Sequence, residues 1–192
     1  IRRTSKTPEE YSFWICLFAN NQHHLERVIP LGGLEESSFV RMLKSRPQGL
    51  VMVLDEKALP LRRVWCICEL LYARRLGVQV DLWTRASVKD TEETILKIDV
   101  SMAQASEESD KVMIEQAVRD FHDLEVGNGF DGLNNFIRQE AWDMVLRFYN
   151  RSGDREGARV ARKHGANPKS ESGIMKKTMM VPMAVQKVEQ RR

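Results

Sequence analysis

The chain has 192 residues, of which 42% are apolar and 30% are charged, and its formal net charge is +3. This length suits one domain with a substantial core plus appendages and excludes two full-sized domains. No apolar run approaches the roughly 20 residues that cross a bilayer, and residues 1–20 lack the residue order of a signal peptide, so we expect a cytoplasmic protein without a transmembrane segment.

The charges are unevenly distributed along the chain. Residues 1–150 carry 19 basic and 23 acidic side chains, whereas residues 151–192 carry 11 basic and 4 acidic ones. A basic segment of this kind can touch nucleic acid or an anionic membrane face, but a solvated, poorly ordered terminus is commoner for such a composition, so a nucleic-acid partner is not expected. The three cysteines, Cys16, Cys66 and Cys68, suggest neither a disulfide framework nor a metal site.

The first part of the chain predicts two strands and a short helix. Residues 1–10 are a polar lead-in, and residues 11–18 form an apolar and aromatic run typical of a strand covered on both faces. A short amphipathic helix is predicted around Val40. The run Leu50–Leu54 then predicts a second buried strand.

The next element is a helix from Leu61 to Gly77, where apolar residues recur at helical spacing and the glycine supplies a C-cap. After it, Val80 and Leu82 alternate with polar residues such as Asp81, which indicates a strand half exposed at a sheet edge. Strand, helix and strand joined by short loops predict an α/β fold with a parallel sheet of about three strands. Ligands of such sheets bind beyond the carboxyl ends of the strands.

The rest of the chain is predicted to be helical, and a long final helix ends at Gly153. The segment after it has the outline of half an ankyrin repeat, although a solenoid needs about three stacked units. The helices of the extension are expected near residues 91–98, 106–124 and 133–148. The predicted organisation is a disordered lead-in over residues 1–10, an α/β core over 11–84, a helical extension packed on the core over 85–150, an ankyrin-like helical fragment over 151–168 and a basic flexible tail over 169–192.

Glu69 is the acidic residue that we single out in the central helix. The positions three and four residues away hold Trp65, Cys66, Tyr72 and Ala73, so no lysine or arginine stands at the spacing of a helical ion pair. Its position borders the buried face of the helix. Two interpretations remain open, a structural acid bonded to a loop or to water and a carboxylate of a nucleotide site.

The polar turn after the first predicted strand is the second candidate region. Asn20, Asn21 and Gln22 follow the strand at the point where a ligand would be met, yet polar amides are also common in tight turns. We leave the two interpretations open.

Several short segments together resemble one family. The most specific is the Arg-x-x-Trp-Cys-x-x-Glu-Leu pattern within residues 61–70, and the resemblance extends over residues 11–147. These segments are similar to the TIR-like (Toll/interleukin-1 receptor/resistance) domains of large protist, fungal and algal proteins. The supporting segments are Trp14-Ile15-Cys16, Asn21-Gln22-His23, Val51-Met52-Val53-Leu54-Asp55, Ile98-Asp99-Val100 and Gly129-Phe130-Asp131.

The resemblance implies a flavodoxin-like fold and two kinds of activity. Some TIR domains are signalling scaffolds that self-associate or bind a protein partner, and this is the function that we expect here, with possible nucleotide binding. Others cleave NAD⁺ at the nicotinamide-ribose bond, and the alternative is therefore an NAD⁺ glycohydrolase with Glu69 as its essential carboxylate. NAD⁺ would then be a substrate, and no cofactor or metal is required. The nucleotide-binding candidates implied are Asn20, Asn21, Gln22, Asp55, Trp65 and Cys66.

One departure from the family pattern bears on these expectations. The first strand of the family, with the loop that helps to form the nucleotide pocket, should precede Tyr11, and ten polar residues cannot supply it. We therefore expect either a fragment of a larger protein or a non-catalytic member.

Overall fold

The structure is a computed structural model, and it describes residues 33–167. The predicted strand over residues 11–18, the candidate turn residues Asn20, Asn21 and Gln22, and the predicted tail over residues 169–192 lie outside the described residues. Within these residues the structure is mixed α/β and 61% helical. The helices are α1 Ser38–Lys44, α2 Val64–Arg75, α3 Val88–Leu96, α4 Glu108–Arg119, α5 Gly129–Ser152 and α6 Arg155–Lys163; the strands are β1 Leu50–Leu54, β2 Val80–Thr84, β3 His122–Asp123 and β4 Gly127–Asn128; and short 3₁₀ helices span Leu34–Glu36, Leu59–Arg62 and Val100–Met102.

A parallel pair of strands joined by a helix forms the α/β part. Strand β1 pairs with β2 from Leu50 opposite Val80 to Leu54 opposite Thr84, and α2 is the crossover between them. The predicted order of strand, helix and strand is therefore confirmed. The predicted C-cap is also present, because Gly77 has a φ of 66°, and its N–H donates to the carbonyl of Arg74 at 3.1 Å.

Two expectations about the exposure of the sheet are wrong. Strand β1 is not buried on both faces, since Val51 is 41% and Val53 is 53% exposed. Strand β2 is not half exposed along its polar side, since Asp81 is fully buried. The reason is that α5 packs across β2 and brings Arg147 to 3.5 Å from the Asp81 carboxylate, which places the carboxylate against a cation.

A small hairpin interrupts the helical extension. Helix α4 ends at Arg119, earlier than the predicted 124, because the chain turns into the antiparallel pair β3 and β4. The Oδ1 atom of Asp123 accepts hydrogen bonds from two backbone N–H groups within the hairpin, at 2.9 and 3.1 Å. Gly132 in α5 lies directly against the backbone of Gly127, so a Cβ at position 132 would collide with it.

Helix α5 is the centre of the extension, and its predicted apolar face is buried except at Phe148, which is 53% exposed. It ends at Gly153, whose φ of 75° is left-handed. Helix α6 then packs back on α5, and Trp142 stacks on His164 with ring centroids 4.2 Å apart. The buried residues of the α5 face are Leu133, Phe136, Ile137, Ala141, Met144 and Val145.

The described residues lack two features, a membrane-spanning helix and a cluster of metal ligands. Every helix within residues 33–167 is too short or too polar to cross a bilayer. In the same residues, no three His, Cys, Asp or Glu side chains are grouped so that they could hold a metal ion.

Candidate functional site

Helix α2 carries three of the predicted site residues on neighbouring turns. Glu69 is half-buried, and Trp65 and Cys66 lie on the preceding turn. Helix α1 covers this side of α2, because Phe39 contacts Trp65 and Tyr72 edge-on, with ring centroids 6.0 and 6.1 Å apart. The aromatic side chains beside Glu69 are thus held by packing.

Trp65 has a polar contact that fixes its ring. Its Nε1–H donates to Oδ2 of Asp110 at 2.9 Å, which ties the start of α2 to the first turn of α4. A buried indole usually finds such a partner. The contact gives Trp65 a structural role whether or not a nucleotide binds nearby.

The two cysteines of α2 are poor nucleophiles in this environment. Burial raises the pKa of Cys66 to about 11, and the nearby charge of Glu69 raises it further. The pKa of Cys68, which is fully buried, is also raised, first by burial and then by Glu69. Both side chains therefore remain neutral thiols near pH 7 and pack as small hydrophobic groups.

Asp55 occupies a different place, at the carboxyl end of β1. The residue is exposed, and its Oδ1 accepts a hydrogen bond from the backbone N–H of Leu59 at 2.7 Å. Its carbonyl accepts a second bond from Ala58, whose φ of 49° is left-handed. Asp55 therefore closes the loop that follows β1. It also lines a small cavity between that loop, β2 and α3, and Glu69 does not line this cavity.

A larger cavity, of about 160 Å³, lies at the carboxyl end of β2. Three arginines line it, one from the segment after β2 and two from adjacent turns of α5, and we call it the arginine cavity. Sequence reasoning missed it, although Arg147 and Arg151 stand four residues apart on one helix and Arg85 follows a strand. Its lining residues are Leu82, Trp83, Thr84, Arg85, Ala86, Val88, Thr91, Met144, Val145, Arg147, Phe148 and Arg151.

The arginine cavity is positively charged. The Arg147 side chain is 14% exposed, and its Nη2 donates to the carbonyl of Leu82 at 3.3 Å and lies 3.5 Å from Oδ1 of Asp81. Its Nη1 is buried and has no hydrogen-bond partner in the part of the chain that the structure describes. Arg85 and Arg151 are exposed, and no ion pair joins either of them to a residue between 33 and 167.

An exposed apolar surface adjoins this cavity. Val53 lies opposite Trp83 in the strand register, so the two side chains share one face of the sheet with Val51. We call Val51, Val53 and Trp83 the valine face. The Arg85 guanidinium lies 5.8 Å from the centre of the Trp83 ring and borders this face.

No family model, curated protein or solved structure matches the chain. The resemblance to TIR-like domains thus stays a prediction from short motifs. The structure itself shows a mixed α/β architecture with one parallel strand pair among residues 33–167.

Proposed function

We propose that this chain is a TIR-like interaction domain that self-associates, and that the valine face is its contact surface. The observation that supports this most is the exposure of Val51 and Val53, 41% and 53%, on adjacent outward positions of one strand. Exposed β-branched residues beside a tryptophan form the kind of apolar patch that protein interfaces use. The proposal includes the flavodoxin-like fold that the resemblance implies.

A second copy of the chain fits this face by charge. Arg85 borders the valine face, whereas Glu107 and Glu108 at the start of α4 are exposed and make no ion pair with any residue in 33–167. Contact between these two surfaces joins different patches of the two copies and is therefore heterologous. The apolar patch is small, so the association should be weak and concentration-dependent.

Sedimentation velocity over a range of protein concentration tests the proposal. Val53→Lys should abolish the concentration-dependent species, and Val53→Thr, which keeps the β-branched shape, should weaken it. Leu124→Lys is the matched control, because Leu124 is 108% exposed on the hairpin, away from the valine face. A monomer at every concentration, or equal loss with the control, contradicts self-association through this face and directs the search to another protein partner.

A charge exchange tests the orientation. Arg85→Glu should weaken the association, and combining it with Glu107→Arg and Glu108→Arg should restore it. Circular dichroism of each variant checks that the fold is kept. If the triple variant is no better than Arg85→Glu alone, the acidic end of α4 is not the partner surface.

NAD⁺ cleavage is the second candidate function, favoured by the position of Glu69 on α2. The residue is half-buried, and Trp65 and Cys66 hold the turn before it in a packed arrangement. A carboxylate so placed can stabilise the positive charge that develops on ribose when nicotinamide leaves. Nicotinamide release that disappears in Glu69→Ala and persists in the exposed control Glu93→Ala supports this function. No release from the folded wild-type protein at high concentration contradicts it.

A further inference from the structure

We infer that the arginine cavity binds the phosphate group of a small ligand. This site adjoins the valine face, with which it shares Trp83 and Arg85, and it differs from that face in using Arg147, Arg151 and Thr84. It also differs from the candidate NAD⁺ residues, since neither Glu69 nor Asp55 lines the cavity.

The arrangement of the cations favours an oxyanion. Among residues 33–167, no acidic side chain lines the cavity, and the buried carboxylate of Asp81 lies 3.5 Å from Arg147. Arg85 and Arg151 therefore leave two positive charges at the cavity. One planar guanidinium group can donate two parallel hydrogen bonds to two phosphate oxygens, which a lysine cannot do.

Arg147 supplies a fixed positive charge within this arrangement. Its contacts with Asp81 and with the carbonyl of Leu82 hold the guanidinium in the cavity wall. Nη1 is buried, so Arg147 attracts an anion by its charge, and the direct contacts are left to Arg85 and Arg151. The hydroxyl of Thr84 is a further donor, since its oxygen accepts from the N–H of Ala86 at 3.0 Å and its own O–H is not used in that bond.

The size of the cavity limits the ligand. A volume of about 160 Å³ holds roughly five water molecules at about 30 Å³ each. Drug-sized ligands occupy about 300–1,000 Å³, so a phosphate or pyrophosphate group fits here and a whole dinucleotide does not. Trp83 and the 53% exposed Phe148 are flat apolar groups on the wall, against which a ring attached to the phosphate could stack.

Isothermal titration calorimetry at constant ionic strength tests the inference on the full chain. The probes are inorganic phosphate, pyrophosphate and adenosine monophosphate. Arg85→Gln and Arg151→Gln should each weaken binding about tenfold, the effect of losing a charge-assisted hydrogen bond. Both residues are exposed, so the variants should fold, and Arg41→Gln on α1 is the matched control that should bind as the wild type does.

The outcomes separate the ligand sources and the two proposals. Tighter binding of adenosine monophosphate than of phosphate identifies a nucleotide, and equal binding identifies the phosphate group alone. No binding of any probe, or equal weakening by Arg41→Gln, overturns the inference. Repeating the titration with Val53→Lys removes self-association, so failure of the valine face and failure of the phosphate site are distinguishable.

Discussion

Glu140 should make the stability of this protein fall as the pH rises. The residue lies on α5, and burial raises its pKa to about 7. Asp143 on the same helix and, to a lesser extent, Asp81 on β2 raise it as well, while Arg147 on α5 and Arg74 on α2 oppose the shift. Replacing Glu140 by Gln keeps the shape of the protonated side chain and removes its titration.

The magnitude follows from the two pKa values. With an ordinary pKa of 4.5 and a folded pKa of about 7, each pH unit between them is about 1.4 kcal/mol. Below the ordinary value Glu140 is protonated in both states and imposes no penalty. As the pH rises, the unfolded chain ionises first, so the free energy of unfolding falls, and above the folded pKa the full loss of at most about 3 kcal/mol persists.

Urea unfolding of the wild type and Glu140→Gln across this pH range measures the effect. The variant should exceed the wild type in unfolding free energy by under about 1 kcal/mol near pH 5 and by about 3 kcal/mol near pH 8. Glu108→Gln, an exposed control on α4, should show no such growing difference. A difference that does not change with pH refutes the reasoning, because it would mean that Glu140 titrates alike in both states.

Two further substitutions test the packing of the hairpin. Gly132→Ala should lower the free energy of unfolding by about 1–3 kcal/mol, because the new Cβ meets the carbonyl of Gly127, and an unchanged urea midpoint would show that the hairpin simply shifts away. Arg74→Met should cost about 1.5–3 kcal/mol near neutral pH, since Arg74 donates to Asp123 at 2.7 and 3.0 Å and to Glu125 at 2.6 Å. Because Arg74 holds the pKa of Asp123 below its ordinary range, this stabilisation is present above the unfolded pKa and lost in acid, so the variant should lose less stability on acidification than the wild type. Equal acid sensitivity of the two proteins in urea unfolding would contradict that role.

The sequence predicts best what local periodicity determines. The apolar faces of α1 and α5 and the glycine caps at Gly77 and Gly153 follow from residues within a turn or two of one another. Helix α2 differs, because Ile67, Leu70 and Ala73 are buried in addition to most of its predicted face. The exposed face of strand β1 could not be predicted in this way, because a uniformly apolar strand does not show which of its faces is covered. Val51 and Val53 are apolar like their buried neighbours Met52 and Leu54, and they are exposed because less of the protein packs over them.

The features that the sequence did not predict depend on distant residues. The burial of Asp81 requires Arg147, which arrives on a helix much later in the chain. The arginine cavity likewise joins one arginine after β2 with two from α5. The candidate residues Trp65, Cys66 and Glu69 could be found as a motif because they lie close together on one helix. The hydrogen bond from Trp65 to Asp110 could not, because it joins two distant parts of the chain.

Two of the polar contacts of α2 hold the helix near its two ends. In the first turn of α2, Trp65 donates a hydrogen bond to Asp110, and in the last turn Arg74 donates one to Asp123. Because both contacts are made by side chains, α2 cannot shift along its axis or rotate about it without breaking one of them. The orientation of Glu69, which lies between Trp65 and Arg74, therefore depends on α4 and on the hairpin. Breaking either hydrogen bond should change which groups the Glu69 carboxylate can contact, although the sequence of α2 is unchanged.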